Sequence, residues 1–244
     1  MLIPANHALM LRCCLVPVLL VLTFPTAADI DFSILRSASD GAPAAAAGKS
    51  AAATAGQPVV VPEESPEDWY RRAVALDRPG ASGNDLASAT YWYGKAANKG
   101  HTDAQTDLAA MYAEGRGVET DGLKAARWYR RAAEAGNVRA QYNLAVMYHL
   151  GQGVGQSFDD AIQWYENAAR QGDANAMNNM AFMYGMGEGV AQSDIEAYAW
   201  FALAASRGNA DAATNRDLAA SEMTPEERRK ATARYTQLEG QLGL

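Results

Sequence analysis

The sequence predicts an all-α solenoid built of stacked helical hairpins, and three observations lead to that prediction. First, landmark residues return at a fixed spacing of 36 positions, as Trp128, Trp164 and Trp200 do. Second, each period contains two stretches whose apolar residues recur at helical spacing. Third, a glycine closes each period, as at Gly136 and Gly172. A period of this length with two helices per copy is typical of stacked helical repeats rather than of a globular enzyme.

Composition limits the partners of the chain. The 244 residues are 49% hydrophobic, and much of this share is alanine, which suits close packing of helices. Without residues 1–28, which hold Arg12 and no acidic residue, 20 basic and 28 acidic side chains leave a net charge of −8. This charge argues against binding to a nucleic-acid backbone, and long-range electrostatics would favour basic partners.

Residues 1–28 are predicted to be a signal peptide. A nearly continuous apolar stretch, 13–24, precedes small residues, and cleavage is expected before Asp29. The stretch is short for a transmembrane helix, although an uncleaved anchor is an alternative and would be the only contact with a membrane. Both alternatives export the chain, so we expect a periplasmic or secreted protein. The only cysteines, Cys13 and Cys14, lie in this segment, so the mature chain has no thiol for a disulfide, a metal or a nucleophile.

Residues 29–64 are predicted to be a disordered linker. They are rich in Ala, Gly, Ser and Pro, as at 42–47 and 51–56, and they show no sustained amphipathic period. Such a composition buries too little side chain to offset the chain entropy that is lost on folding.

The helical array is expected to span residues 65–222. Its first helix starts after Ser65, because Pro66 and two acidic residues suit a helix N-terminus, and the partner helix is expected to start at Asp85. In later copies, the first helix of each pair opens at a capping residue that follows a glycine, which tolerates a left-handed turn. These capping residues are His101, Asn137, Asp173 and Asn209.

The second helix of each pair has its own start signals. The expected starts are Asp121, Ser157 and Ser193. Ser193 and Glu196 have the spacing of a capping box, in which each side chain accepts a hydrogen bond from the backbone of the other residue.

A stripe of aromatic residues and alanine runs along the second helices. In one copy, Ala125, Trp128, Tyr129 and Ala132 fall on the same side. An aromatic stripe can also bind a ligand, but its repetition in register favours packing. We therefore expect truncation of Trp128 or Trp164 to alanine to cost about 3 to 5 kcal/mol.

The connection inside each pair repeats two glycines and a valine, for example Gly151, Gly153 and Val154. It resembles a nucleotide-binding loop only superficially, because no strand is predicted before it, no Gly-Lys-Ser/Thr follows it, and it recurs in three copies. We therefore predict a tight turn with the valine as an apolar plug.

Residues 223–244 are predicted to form a C-terminal capping helix. Thr224, Pro225 and Glu227 give a clear helix start. Apolar residues then fall near one side of the helix, which is expected to cover the end of the last hairpin. Its basic run, 228–230, is more typical of a solvated face than of a binding patch.

One copy of the repeat shows the full set of landmark residues. They are Ala140, Gln141, Leu144, Met147, Tyr148, Gly151, Gly153, Val154, Ala161, Trp164, Tyr165, Ala168, Ala169 and Gly172. This pattern resembles the Sel-one-like (SLR) repeat, a relative of the tetratricopeptide repeat that is common in bacteria, over roughly residues 85–215. The resemblance implies a right-handed α/α superhelix of antiparallel helix pairs. It also implies an adaptor or scaffold, often in envelope assembly, signalling or host contact, and it does not imply catalysis.

Binding is expected where the copies differ, because stacking explains the positions that every copy shares. At about 100° per residue, the changing positions of the first helices fall opposite the repeated apolar arc. One copy earlier, they hold Asp103, Thr106, Asp107 and Ala110. This side lines the concave groove in tetratricopeptide-type solenoids, so the resemblance implies a ligand surface. Its residues are Arg139, Tyr142, Asn143, Val146, Asn178, Asn179 and Phe182. The alternative is that they only solvate the groove or contact the adjacent repeat.

The side chains of this surface suit a peptide. Carboxamides can donate to and accept from an extended backbone, Tyr142 and Phe182 offer apolar anchors, and Arg139 can hold a carboxylate. We therefore expect an adaptor that binds an envelope protein or peptide segment, with no cofactor, no metal and no nucleic acid. Two alternatives stay open: a regulator that restrains a membrane sensor, and a module that binds cell-wall glycan.

An enzyme is not expected. The motifs H-E-x-x-H and G-x-S-x-G do not occur, a helix start explains His101, and His149 is a lone histidine near a helix end. Glycan cleavage by two acids is still open on sequence alone. A thin solenoid, however, offers little depth in which to raise the pKa of an acid.

Overall fold

The structure is a computed structural model, and it describes residues 64–244. The predicted signal peptide and nearly all of the predicted linker lie outside the described residues. The part described contains ten α-helices and no strand. The helices are α1 (Pro66–Leu76), α2 (Gly83–Asn98), α3 (Thr102–Glu114), α4 (Gly122–Glu134), α5 (Val138–Leu150), α6 (Phe158–Arg170), α7 (Ala174–Met186), α8 (Asp194–Ser206), α9 (Ala210–Glu222) and α10 (Pro225–Leu242).

Each helix from α1 to α8 packs against the next one along the chain. The fold is therefore the all-α solenoid of helix pairs that the sequence predicted. In the three complete repeats, α3, α5 and α7 are the first helices, and α4, α6 and α8 are the second helices. Among residues 64–244, no helix is both long enough and apolar enough to cross a membrane.

The predicted caps of the first helices are confirmed, and three of them, His101, Asn137 and Asn209, also contact the preceding first helix. Each side chain accepts a hydrogen bond from the amide three residues further on, as Asn137 Oδ1 does from Ala140 N over 2.9 Å. Asn137 Nδ2 also donates to Asp103 Oδ1 over 2.8 Å, and Asn209 Nδ2 donates to Asn175 Oδ1 over 3.0 Å. The same side chain therefore caps its own helix and forms a hydrogen bond with the preceding repeat.

The glycine connection is a tight turn, as predicted, and close contact between repeats explains one of its glycines. Gly153 has a φ of 68°, in the left-handed region. A Cβ on Gly153 would lie 2.3 Å from the carbonyl carbon of Gly122, at the start of α4. Only glycine combines this backbone angle with so close an approach. Val154 packs against the core, as the plug interpretation predicted.

The aromatic stripe is buried, but the tyrosine is more deeply buried than the tryptophan. Tyr129 and Tyr165 are 5% and 0% exposed, whereas Trp128 and Trp164 are only half-buried. Trp200 is the exception at 3%. Trp128 and Trp164 lie at the edge of the buried arc, so with the structure we expect their truncation to cost less than that of a fully buried tryptophan.

Two predicted details of the helix starts are wrong. The first concerns α2, which begins at Gly83 rather than Asp85, because Ser82 caps it and Asp85 completes a capping box. The second concerns the capping box expected between Ser193 and Glu196, in which the Glu196 side chain would accept a hydrogen bond from the Ser193 amide. That amide donates to Tyr184 O over 2.9 Å. Glu196 is left to accept a hydrogen bond from Arg234 Nε of α10 over 2.7 Å.

The C-terminal helix α10 starts with the predicted capping box of Thr224 and Glu227. It packs against α8, the helix that α9 also contacts. Ala231 and Leu238 of α10 are buried, and Leu238 belongs to the core cluster of the last repeats. The basic run 228–230 is exposed, as the sequence indicated.

Candidate functional site

The seven residues predicted to bind a partner lie on two neighbouring first helices. We name them the variable face: Arg139, Tyr142, Asn143 and Val146 of α5, with Asn178, Asn179 and Phe182 of α7. The Arg139 side chain is exposed, and the other six residues are half-buried. Each of these six therefore shows part of its surface to solvent and part to the protein.

The centre of the variable face is the hydroxyl of Tyr165, which belongs to a second helix. Asn179 Nδ2 donates a hydrogen bond to this hydroxyl over 3.0 Å. The ring of Tyr142 lies beside it, with a centroid distance of 6.1 Å. Burial raises the pKa of both phenols, so both keep their protons well above neutral pH. The structure thus brings Tyr142 and Asn179 next to Tyr165, a residue that the sequence interpretation had assigned to packing.

His149 also contacts this centre. It falls on the same helical arc as the changing positions, but it was interpreted as a lone histidine near a helix end and was left out of the candidate residues. Its Nδ1 lies 3.4 Å from the Tyr165 hydroxyl, and its Nε2 lies 2.7 Å from Glu188 Oε2. The histidine therefore connects α5 with the connection after α7. A signal was available in the sequence, because the other copies hold Ala113 and Gly185 at this position.

Arg139 is held by an acidic residue of the preceding repeat. Its Nη2 lies 2.5 Å from Asp107 Oδ1, and Asp107 Oδ2 accepts a hydrogen bond from the Tyr70 hydroxyl over 3.2 Å. Burial raises the pKa of Asp107, and the charge of Arg139 opposes that rise. The Arg139 side chain is still 58% exposed, and a guanidinium has five N–H donors. It therefore keeps donors for a ligand.

The apolar members of the variable face also contribute to the core. Phe182 packs edge-on against Phe201, with ring centroids 5.1 Å apart, and Val146 packs against the same cluster. One repeat earlier, Thr106, the counterpart of Tyr142, is only 1% exposed. Its hydroxyl donates to Thr102 O within the helix, so this position of α3 is packed and closed to a ligand.

The two remaining carboxamides differ. Asn178 Oδ1 is buried and has no hydrogen-bond partner within residues 64–244. The half-buried side chain of Asn143 makes no hydrogen bond in that same stretch. An amide with two donors and an acceptor that the protein does not use is available to a ligand. Asn143 is therefore a half-buried hydrogen-bonding group of the variable face that the protein itself leaves unused.

The described residues contain no group of three or more His, Cys, Asp or Glu side chains that could hold a metal ion. The variable face instead presents amides, a phenol and a guanidinium, and the phenol of Tyr165 and the imidazole of His149 lie next to it. These groups bind peptide backbones and carboxylates by hydrogen bonds and ion pairs.

Comparison of the sequence with known protein families identifies one family. The Sel1 repeat pattern matches residues 79–101, 102–137, 138–173 and 174–209, which together exceed half of the chain. Sel1 repeat proteins generally mediate protein–protein interactions and are typically non-catalytic. No curated protein gives a significant match to the sequence.

Two solved structures are similar to this chain at 29% sequence identity. One is c5321, a protective antigen of uropathogenic Escherichia coli with an SLR fold, with a TM-score of 0.65 over 72% of this chain and 38% of that one. The other is a Sel1 repeat protein from Oxalobacter formigenes, with a TM-score of 0.57 over 62% of each chain. This chain thus spans less than two thirds of either protein.

Proposed function

Because the chain belongs to the Sel1 repeat family, we propose that it is a non-catalytic adaptor of the cell envelope. In this proposal, the variable face binds an extended segment of another exported protein. The expected signal peptide at residues 1–28 supports the envelope location. The family's general role in protein interaction supports the kind of partner.

The observation that carries the proposal is the unused, half-buried amide of Asn143 on α5, the helix that also carries Tyr142 and His149. Asn179 and His149 both lie within hydrogen-bond distance of the Tyr165 hydroxyl, which limits their freedom. Polar groups that are already oriented lose little entropy when a ligand binds. Asn143 then supplies a donor and an acceptor to the backbone of the bound segment.

The rest of the variable face gives the segment its preferred chemistry. Tyr142 and Phe182 are half-buried rings, which present rigid apolar area at a low entropic cost. Arg139 is exposed at the end nearer the preceding repeat. It suits a carboxylate, either of an acidic side chain or of a chain terminus.

The proposal is tested by capture of envelope proteins on the immobilised full chain, followed by mass spectrometry. Asn143→Ala combined with Phe182→Ala should remove the captured protein. Asn167→Ala is the matched control, because Asn167 is an exposed asparagine of the second helix α6. Circular dichroism should show unchanged helical content in both variants, since neither change alters a helix cap.

Two results would reject this function. The first is equal capture by the double variant and the wild type. The second is sedimentation of the chain with purified cell-wall sacculi and its loss in the double variant, because the ligand would then be a glycan.

A further inference from the structure

The outward side of α4 is strongly basic. Lys124, Arg127, Arg130 and Arg131 lie within eight residues of this helix and are exposed, in a chain whose formal net charge is −7. We name these four residues the α4 basic face. The opposite side of α4 is buried against the core, so the solenoid does not use this face for packing.

The α4 basic face is present in only one of the three complete repeats. Trp128 recurs as Trp164 and Trp200, but the four basic residues do not recur. Their counterparts are Asp160, Gln163, Glu166 and Asn167 in α6, and Glu196, Ala199, Ala202 and Leu203 in α8. The same repeat geometry thus forms without these charges, and their concentration on one helix needs another explanation.

Aromatic rings hold three of the four cations in place. The Arg131 guanidinium carbon lies 5.0 Å from the centroid of the Trp128 ring, and Lys124 Nζ lies 5.2 Å from that of Tyr112. Arg130 donates a hydrogen bond to the Tyr148 hydroxyl. Cations over rings are attracted to them electrostatically, so the charges are oriented before any ligand arrives.

The charges of the three arginines are also not neutralised. Lys124 forms an ion pair with Asp121 at 3.0 Å, but Arg127, Arg130 and Arg131 form none with any residue from 64 to 244. Together with Trp128 and Glu134, the basic face lines a recess of about 400 Å³. The half-buried indole of Trp128 gives this recess an apolar component.

From these observations, we infer that the α4 basic face binds an acidic peptide segment of a partner protein. Side-chain carboxylates of the segment pair with the arginines, which favour bidentate contacts, and an apolar side chain packs on Trp128. An anionic membrane fits less well, because the chain is acidic as a whole and a flat bilayer would face repulsion around so small a basic area. This surface is separate from the variable face.

Fluorescence anisotropy on the full chain tests the inference. The probe is a short labelled peptide of alternating glutamate and phenylalanine, with the glutamine and phenylalanine peptide as its neutral counterpart. The acidic peptide should bind, and the triple variant Arg127→Gln, Arg130→Gln, Arg131→Gln should bind it about tenfold more weakly, as expected for the loss of three charge pairs. The neutral peptide should bind the wild-type chain no more tightly than the acidic peptide binds the triple variant.

The matched control removes three positive charges from a different helix. Arg228→Gln, Arg229→Gln, Lys230→Gln changes an equally exposed basic run on α10 and should bind the acidic peptide like the wild type. Equal weakening in both triple variants would overturn the inference, because only net charge would matter. Binding of phosphatidylglycerol vesicles that depends on the α4 arginines while the acidic peptide does not bind would also overturn it.

Discussion

Asn179 donates a hydrogen bond from Nδ2 to the hydroxyl of Tyr165 over 3.0 Å. Tyr165 recurs at the spacing of the repeat, with Tyr129 at the equivalent position one copy earlier, and Asn179 has asparagine at two equivalent positions, Asn143 and Asn215, and aspartate at the third, Asp107. The hydroxyl of a packing residue therefore orients a side chain of the variable face. One hydrogen bond thus joins a residue that packs the repeats to a residue that we propose binds a partner.

Changing Tyr165 to Phe should destabilise the protein slightly and weaken partner capture. The hydroxyl interacts with Asn179 and His149, and loss of such a hydrogen bond typically lowers the free energy of unfolding by about 1 kcal/mol. Tyr129→Phe is the control, because the Tyr129 hydroxyl makes no hydrogen bond within the described part of the chain. Urea unfolding of both variants measures the difference, and equal midpoints would contradict the role given to Tyr165.

The tryptophans at one repeat position should differ in their contribution to stability. Trp200 is 3% exposed, so its truncation to alanine should cost about 3 to 5 kcal/mol. Trp128 is half-buried, so Trp128→Ala should cost clearly less, about 2 kcal/mol. Chemical denaturation followed by circular dichroism tests the order. A larger loss for Trp128 would show that stacking between repeats, rather than burial, sets the cost.

Alanine at Gly153 should be strongly destabilising. The new Cβ would lie 2.3 Å from the Gly122 carbonyl carbon, and the backbone φ of 68° is unfavourable for alanine. Together these effects should cost about 2 to 4 kcal/mol. Gly155→Ala, two residues away, meets no atom within 4 Å and should change stability by less than about 0.5 kcal/mol. Thermal unfolding of the two variants makes the comparison, and a tolerant Gly153 would mean that the repeats are less closely apposed.

Alkaline pH should unfold the solenoid. Burial raises the pKa of Tyr70 to about 12, and it also raises the pKa of Tyr129 and Tyr165. An exposed phenol in the unfolded chain ionises near pH 10, so the unfolded state releases protons first. The stability from these neutral phenols is therefore complete below about pH 10 and is lost as the pH rises through the folded pKa values.

The alkaline prediction is measured by following phenolate absorbance and helical circular dichroism together. The two signals should change in parallel above about pH 10. Full phenolate absorbance near that pH in a chain that keeps its helices would contradict the burial of these side chains.

The sequence predicted the fold well because each helix end depends on local residues. The cap Asn137 and the glycine Gly153 perform the functions that their positions indicated. The failures involved contacts distant in sequence. Glu196 does not form the predicted capping box, because the Ser193 amide donates to Tyr184 O of the preceding helix. Glu196 pairs instead with Arg234 of α10, and no spacing rule within α8 could reveal either partner.

The candidate site was predicted only in part for a similar reason. Comparison of the copies in helical register located Asn143 and Asn179, which occupy equivalent positions of neighbouring repeats. It assigned Tyr165 to packing, because a repeated residue was treated as architecture, although the Tyr165 hydroxyl contacts the variable face. It also left out His149, whose neighbour Glu188 lies 39 residues away and becomes adjacent only through stacking of the repeats.

The most direct test of the central claim is photo-crosslinking in intact cells. A photoreactive residue replaces Asn143 on the variable face or, as the control, Asn167 on α6. If the variable face binds a partner, position 143 should give a discrete adduct with one envelope protein and position 167 should give none. Identical adducts from both positions, or an adduct from position 167 alone, would contradict it.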